Sequence, residues 1–217
     1  SVTATQTSVR QGAVNDMKRE LILQAAKRVF EREGLEKTSL RAIAREAGYT
    51  PAALYFHFDS KEALYAELLG ASLDALEATV AEAADTQSST AAAFQAAALA
   101  YFDFYLSNPK DLDLGFYLSG GGMARKGVGR DHDTTLNARL LDAIRPVERA
   151  AIGMGASRRA AQKALGEFFA YANGVLLLAH TGRLALFDAS AQDLMKRFVA
   201  SQLKALANGK VAGREGL

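Results

Sequence analysis

The segment TSLRAIAREAGYTPAALYFHFDSKEALYAELL, Thr38 to Leu69, holds the residues of this chain whose types and spacing are best suited to engaging a partner. Ile43 and Ala44 sit at helical spacing on one apolar face, and Leu54 and Phe58 face inward beyond them, which leaves Tyr55 and His57 to point elsewhere. Only Tyr49 separates Gly48, a natural helix stop, from Thr50, a natural helix cap, and Pro51 fits a first helical position where a missing N–H costs nothing. Two helices joined by so sharp a turn make a helix-turn-helix. The small residues Pro51, Ala52 and Ala53 let the second of them approach a DNA groove closely. Residue by residue, blander roles compete: Tyr55 as a half-buried aromatic, His57 as a polar helix end, Lys61 as a solvated surface lysine.

The same segment closely resembles the TetR family of transcription regulators. The matching marks are Ile43-Ala44, Ala47-Gly48, Thr50, Leu54-Tyr55, His57-Phe58 and Ser60-Lys61-Glu62, covering about the first third of the chain. The resemblance implies that Thr38 sets its hydroxyl and a helix N-terminus against a phosphate, that Lys61 does so with its ammonium, and that Tyr55 and His57 also reach phosphates. It implies that Thr50, Pro51, Ala52 and Arg41 meet base edges, with Pro51 and Ala52 near thymine methyls and Arg41 near a guanine. Arg10, Lys18 and Arg19 form a basic arm that can enter a minor groove or remain a loose tail.

The elements that must position these groups are helical throughout. Leu21, Ile22, Ala25, Ala26, Val29 and Phe30 mark a helix over 16–33 that stops at Gly34, and Thr38 is placed to cap the next. Further helices are expected near 60–84, 90–107, 110–121, 132–154, 157–187 and 190–207. The expected fold is therefore all-α. Residues 1–15 form a flexible arm, 16–60 a three-helix helix-turn-helix domain, 61–207 a larger ligand-binding and dimerisation domain, and 208–217 a flexible tail.

In the resembled family the last two long helices pair with those of a second subunit. Here that implies a homodimer face of Leu165, Phe169, Ala172, Leu176 and Ala179 on one helix, with Leu194, Phe198 and Leu206 on the other. The family's domain also encloses a small-molecule effector. Its candidate lining is Tyr101, Phe102, Tyr105, Phe116, Tyr117, Phe168, Tyr171 and Asn173, most of which serve equally well as core. Asn173, an amide among apolar neighbours, needs a partner, either a ligand or a backbone carbonyl. The Gly120–Arg130 loop carries Arg125, Lys126 and Arg130 but matches no nucleotide fingerprint, so an ordinary basic loop competes with a phosphate contact. His132 between Asp131 and Asp133 reads as a helix start rather than a metal site.

The bulk composition is compatible with this reading. A hydrophobic fraction of 49% with 23% charged residues is that of an ordinary globular domain, and the absence of cysteine removes disulfides and thiolate chemistry and fits a cytoplasmic setting. No cofactor, metal or membrane partner is expected. Double-stranded operator DNA, a second copy of the chain and a small effector are the expected partners of a repressor. The competing classes are a helical enzyme or small-molecule carrier with an incidental helix-turn-helix-like start, and an architectural DNA-binding protein. The scattered His57, His132 and His180 offer no constellation that joins a nucleophile to a base.

Overall fold

The computed structural model of the chain describes residues 2–117 and 127–212, with side chains over 9–117 and 127–208. Among these residues the fold is nine α-helices and one 3-10 turn: α1 (Val2–Lys37), α2 (Leu40–Ala47), α3 (Pro51–Tyr55), α4 (Lys61–Asp85), α5 (Thr90–Ser107), α6 (Pro109–Phe116), α7 (Arg130–Gly153), α8 (Arg158–His180), the turn Arg183–Phe187, and α9 (Ala191–Ala212). The chain divides into two compact units. The first takes in the described residues of Ser1–Ala71 and Leu112–Leu136, the second those of Ser72–Asp111 and Asn137–Leu217.

In the first unit α1 packs on α2 and α2 on α3. Ile22, Ala25, Ala26, Val29 and Phe30 form the buried stripe of α1 and meet Ile43, Ala44, Leu54 and Phe58 in one core. Leu21, expected on that stripe, is 46% exposed. Gly34 breaks α1 at φ 75°, a left-handed conformation that glycine adopts without a Cβ clash. The expected arm at 1–15 is instead a backward continuation of α1 to Val2. Only Gly12 interrupts the helix-tolerant residues there, and extending a helix already nucleated costs far less than starting one.

The second helix is capped by Ser39, not by Thr38. The Ser39 hydroxyl accepts from the amide of Ala42 at 3.1 Å, while the Thr38 side chain is buried and donates to the Gly34 carbonyl at 2.6 Å.

In the second unit α5, α8 and α9 pack together. Phe94, Ala97, Ala98, Tyr101 and Phe102 of α5 are buried, as are Ala164, Phe168, Ala172, Val175 and Leu176 of α8 and Met195 and Val199 of α9. The single helix expected over 157–187 ends at His180. Thr181 and Gly182, the latter at φ 71°, turn the chain into the short Arg183–Phe187 segment. The helix expected to end at 207 runs to Ala212, so the described part of the expected tail is helical. Most of the Gly120–Arg130 loop lies outside the described residues, which resume at Gly127.

Candidate nucleic-acid interface and ligand region

The α2–α3 connection is tight because each end is satisfied locally. Gly48 sits at φ 73° and its amide bonds back to Arg45, while the Tyr49 amide bonds to the Ala44 carbonyl at 2.9 Å. Thr50 caps α3 by accepting from Ala53 at 3.3 Å, with Pro51 at the first helical position. Burial of Leu54 and Phe58, four residues apart, then fixes which way α3 faces. Thr50, Pro51, Ala52 and Tyr55 are exposed together, as is Arg41 on α2, and His57 is half-buried.

The sequence reading passed over Phe56, which is 78% exposed and meets the His57 ring edge-on at 5.2 Å. Its signal was the spacing itself: with Leu54 and Phe58 inward, both Tyr55 and Phe56 must point out.

Two of the expected phosphate contacts are engaged inside the protein. Thr38 is buried against Gly34 as described. The Lys61 ammonium, at the start of α4, donates to the carbonyls of Leu35 at 2.8 Å, Glu36 at 3.1 Å and Thr38 at 3.0 Å. Leu35 and Glu36 lie in the last turn of α1, past the break at Gly34, and Thr38 just beyond it, where backbone carbonyls without helical partners can accept from a cation.

Arg19 does not belong to a loose basic arm either. Its guanidinium lies 4.2 Å from the Phe58 ring centroid, donates to the His57 carbonyl at 3.0 Å and pairs with Glu67. It therefore joins α1, the end of α3 and α4. A further bridge ties α1 to α2, where Arg28 donates to Glu46 at 3.0 Å and holds its carboxyl below the ordinary range, with Arg32 assisting.

The expected effector-lining residues fall into two groups. Phe116 and Tyr117 belong to the first unit, where Tyr117 stacks on Tyr65 at 5.1 Å and the Tyr65 hydroxyl donates to the Leu114 carbonyl at 2.6 Å. Burial, with the Asp133 carboxylate nearby, pushes the Tyr117 hydroxyl up to about 12.

The others lie in the second unit. Tyr101, fully buried, meets Tyr105 and Phe168 edge-on, and Tyr171 stacks on Phe198 at 4.2 Å. The Tyr101 hydroxyl donates to Asn173 Oδ1 at 3.0 Å, and Asn173 Nδ2 donates to the Phe169 carbonyl at 2.7 Å. Both ends of the Asn173 amide are thus partnered within the protomer. Burial raises the Tyr101 hydroxyl well above its ordinary range.

A separate groove of about 460 Å³ opens between α7 and α8. Leu140, Leu141 and Ile144 form one wall, Leu165 and Phe169 the other, and Arg145 and Glu148 are among its polar residues.

The expected dimer face is only partly available. Ala172 and Leu176 are fully buried and Leu206 nearly so, whereas Leu165, Phe169, Ala179, Leu194 and Phe198 are half-buried. The exposed strip of α8 is instead Gly166, Ala170, Gly174 and Leu177. The most apolar face of this amphipathic helix is claimed by its own protomer's core.

Near His132, Asp133 accepts from the Val128 amide at 2.9 Å, ordering the start of α7. Among the described residues no three histidine or acidic side chains gather as a metal set, and no helix is long and apolar enough to cross a membrane.

Fold and site define a helix-turn-helix protein of all-α build with a larger helical second unit. Residues 22–68 match the family of bacterial regulatory proteins described as the tetR family. The regulator TtgR of Pseudomonas putida is 44% identical over 61 residues, 28% of this chain and 27% of its own length. The transcriptional repressor KstR2 of Mycobacterium tuberculosis is 37% identical over 92 residues, 42% of this chain and 46% of its own length. The chain thus aligns with less than half the length of either relative.

Across the fold, a TetR family transcription regulator from Marinobacter aquaeolei superposes with a TM-score of 0.63 at 15% identity, covering 89% of this chain and 97% of the other. At 15% identity that likeness is one of fold, and the match to the tetR family of bacterial regulatory proteins is confined to residues 22–68.

Proposed function

We propose that the chain is a ligand-responsive repressor, acting in the cytoplasm as a homodimer on a near-palindromic operator. The observation that carries this is the common exposure of Thr50, Pro51, Ala52 and Tyr55 on α3 while Leu54 and Phe58 anchor the helix from behind. In this reading α3 enters a major groove, Thr50, Pro51, Ala52 and Arg41 meet base edges, and Tyr55 and His57 reach phosphates. Two such helices must fit grooves about 34 to 36 Å apart, which a homodimer provides and a lone protomer does not. The repressor name of KstR2 supports repression over activation.

The test is a gel shift with the DNA flanking the chain's own gene. Retarded migration at nanomolar protein is expected. Tyr55→Phe, which deletes one exposed hydroxyl, is expected to weaken specific and nonspecific binding alike by about 0.5 to 1.5 kcal/mol, with the thermal melt unchanged. Unchanged affinity removes Tyr55 from the interface.

The effector in this reading is a small apolar or amphipathic molecule held in the second unit among Tyr101, Tyr105, Phe168 and Asn173. A ligand that favours a conformation unfit for DNA lowers operator affinity, and the operator lowers ligand affinity by the same factor. For a binder found by thermal shift, titration with and without operator is expected to differ by roughly 5- to 150-fold. Equal affinities refute release by that molecule.

A further inference from the structure

The segment between α8 and α9 presents two adjacent large apolar side chains to solvent, Leu186 at 78% and Phe187 at 70% exposure. Their setting is built. Leu184, one turn earlier, is buried as an anchor, and Gly182 at φ 71° and Asp188 at φ 48° bracket the turn. Asp188 is not glycine, so its left-handed backbone carries strain that the surrounding contacts must offset. Amides of Asp188 and Ala189 close the turn on Ala185 and Leu184, holding Leu186 and Phe187 outward.

The same unit contains a receptor for such a knob. The α7–α8 groove has apolar walls, and Leu141 at its edge is 54% exposed. Arg145 and Glu148 line the groove, and the exposed Arg183 and Asp188 flank the knob, so each carries both signs of charge.

A third feature sets the register. Gly166 and Gly174 lie inside α8 with Ala170 midway between them, all three exposed, and a Cβ added at either glycine meets nothing within 4 Å. Packing inside the protomer therefore does not require glycine there, and each weakens the helix relative to alanine. A bare strip of this kind lets the α8 helices of two copies approach closely. If they cross antiparallel near Ala170, the C-terminal end of one α8 stands beside the N-terminal half of the other, which is the half that borders the groove.

We propose that the Leu186–Phe187 knob of each protomer seats in the α7–α8 groove of a second copy of the chain. This deepens the homodimer reading and rests on it. The contact is isologous, used twice about one two-fold axis, and covers both the exposed pair and the open groove. It also brings Arg183 toward the other copy's Glu148.

The natural chain has no cysteine, so introduced pairs report cleanly. Phe187→Cys and Leu141→Cys are carried on two differently tagged full-length chains, co-expressed and mildly oxidised. A disulfide heterodimer on a non-reducing gel is expected, well above the yield of a control pairing Phe187→Cys with Val9→Cys, an exposed position on α1. Phe187→Asp is expected to raise the dimer dissociation constant at least tenfold in sedimentation while leaving the protomer's circular dichroism intact. A wild-type dimer that neither cross-links above the control nor responds to Phe187→Asp overturns the knob-and-groove contact and leaves the homodimer standing. A wild-type chain that sediments as a monomer overturns both.

Discussion

Leu176→Asp is expected to abolish folding at 25 °C, whereas Ala170→Asp, six residues earlier on the same helix, is expected to leave a folded protomer that no longer pairs. Leu176 is fully buried on the inward face of α8 with Phe168 and Ala172, against α5 and α9. Replacing it removes roughly 1.5 to 3 kcal/mol of apolar burial and puts a carboxyl group where no partner awaits it, at a further cost of about 2 kcal/mol or more. Their sum, about 3.5 kcal/mol at the least, is a large share of the stability of about 5 to 15 kcal/mol typical of a domain. Ala170 lies on the exposed strip, where a new charge stays solvated and costs the protomer within about 1 kcal/mol. Circular dichroism melts with sedimentation separate the two effects. A folded, monomeric Leu176→Asp variant overturns the assignment of this residue to the protomer core.

That contrast marks where the sequence was legible. The stripe Ile22, Ala25, Ala26, Val29 and Phe30, the Gly48–Thr50 turn and the inward pair Leu54 and Phe58 follow from local spacing and backbone chemistry, and the structure reproduces them. The helices over 61–85 and 90–107 are bounded by capping chemistry that the sequence also carries: Ser60 accepts from Ala63, and Ser89 accepts from Ala92.

What local pattern leaves undecided is which partner a face or a charge finds. An apolar stripe on α8 reads the same whether it meets its own core or another copy, and only the tertiary arrangement assigns Ala172 and Leu176 inward. Arg19 reads as part of a basic arm until Phe58, His57 and Glu67 converge on it from positions 38 or more residues away. The strip of Gly166 and Gly174 was legible in principle, because a glycine inside a strong helix asks for a reason, yet it lies beside the more conspicuous apolar face.

Lys61→Ala is expected to lower the stability of the DNA-free protein by about 2 to 3 kcal/mol and to leave the salt slope of DNA binding nearly unchanged. An ammonium has three donors, and here three carbonyls, of Leu35, Glu36 and Thr38, accept from it within 3.1 Å. To neutralise a phosphate it has to give up some of these bonds. As placed, it fastens the first turn of α4 to the end of α1, immediately before α2 begins at Leu40, so its loss acts on DNA through the position of the helix-turn-helix. Hydrogen bonds to a charged group are worth about 1.5 to 3 kcal/mol, and partial exposure of these carbonyls lets water replace part of the loss, hence the modest total.

Lys61→Arg sharpens the test. A guanidinium is planar and forked, well matched to phosphate but poorly matched to three carbonyls converging on one point. If Lys61 acts by positioning, the arginine variant melts nearly as early as the alanine variant and binds operator weakly. If it acts as a phosphate contact, arginine restores binding, and alanine reduces the salt slope by about one unit per protomer without moving the melt of the free protein. That second pattern returns Lys61 to the DNA surface, and the α1 carbonyls then have to find water in its place.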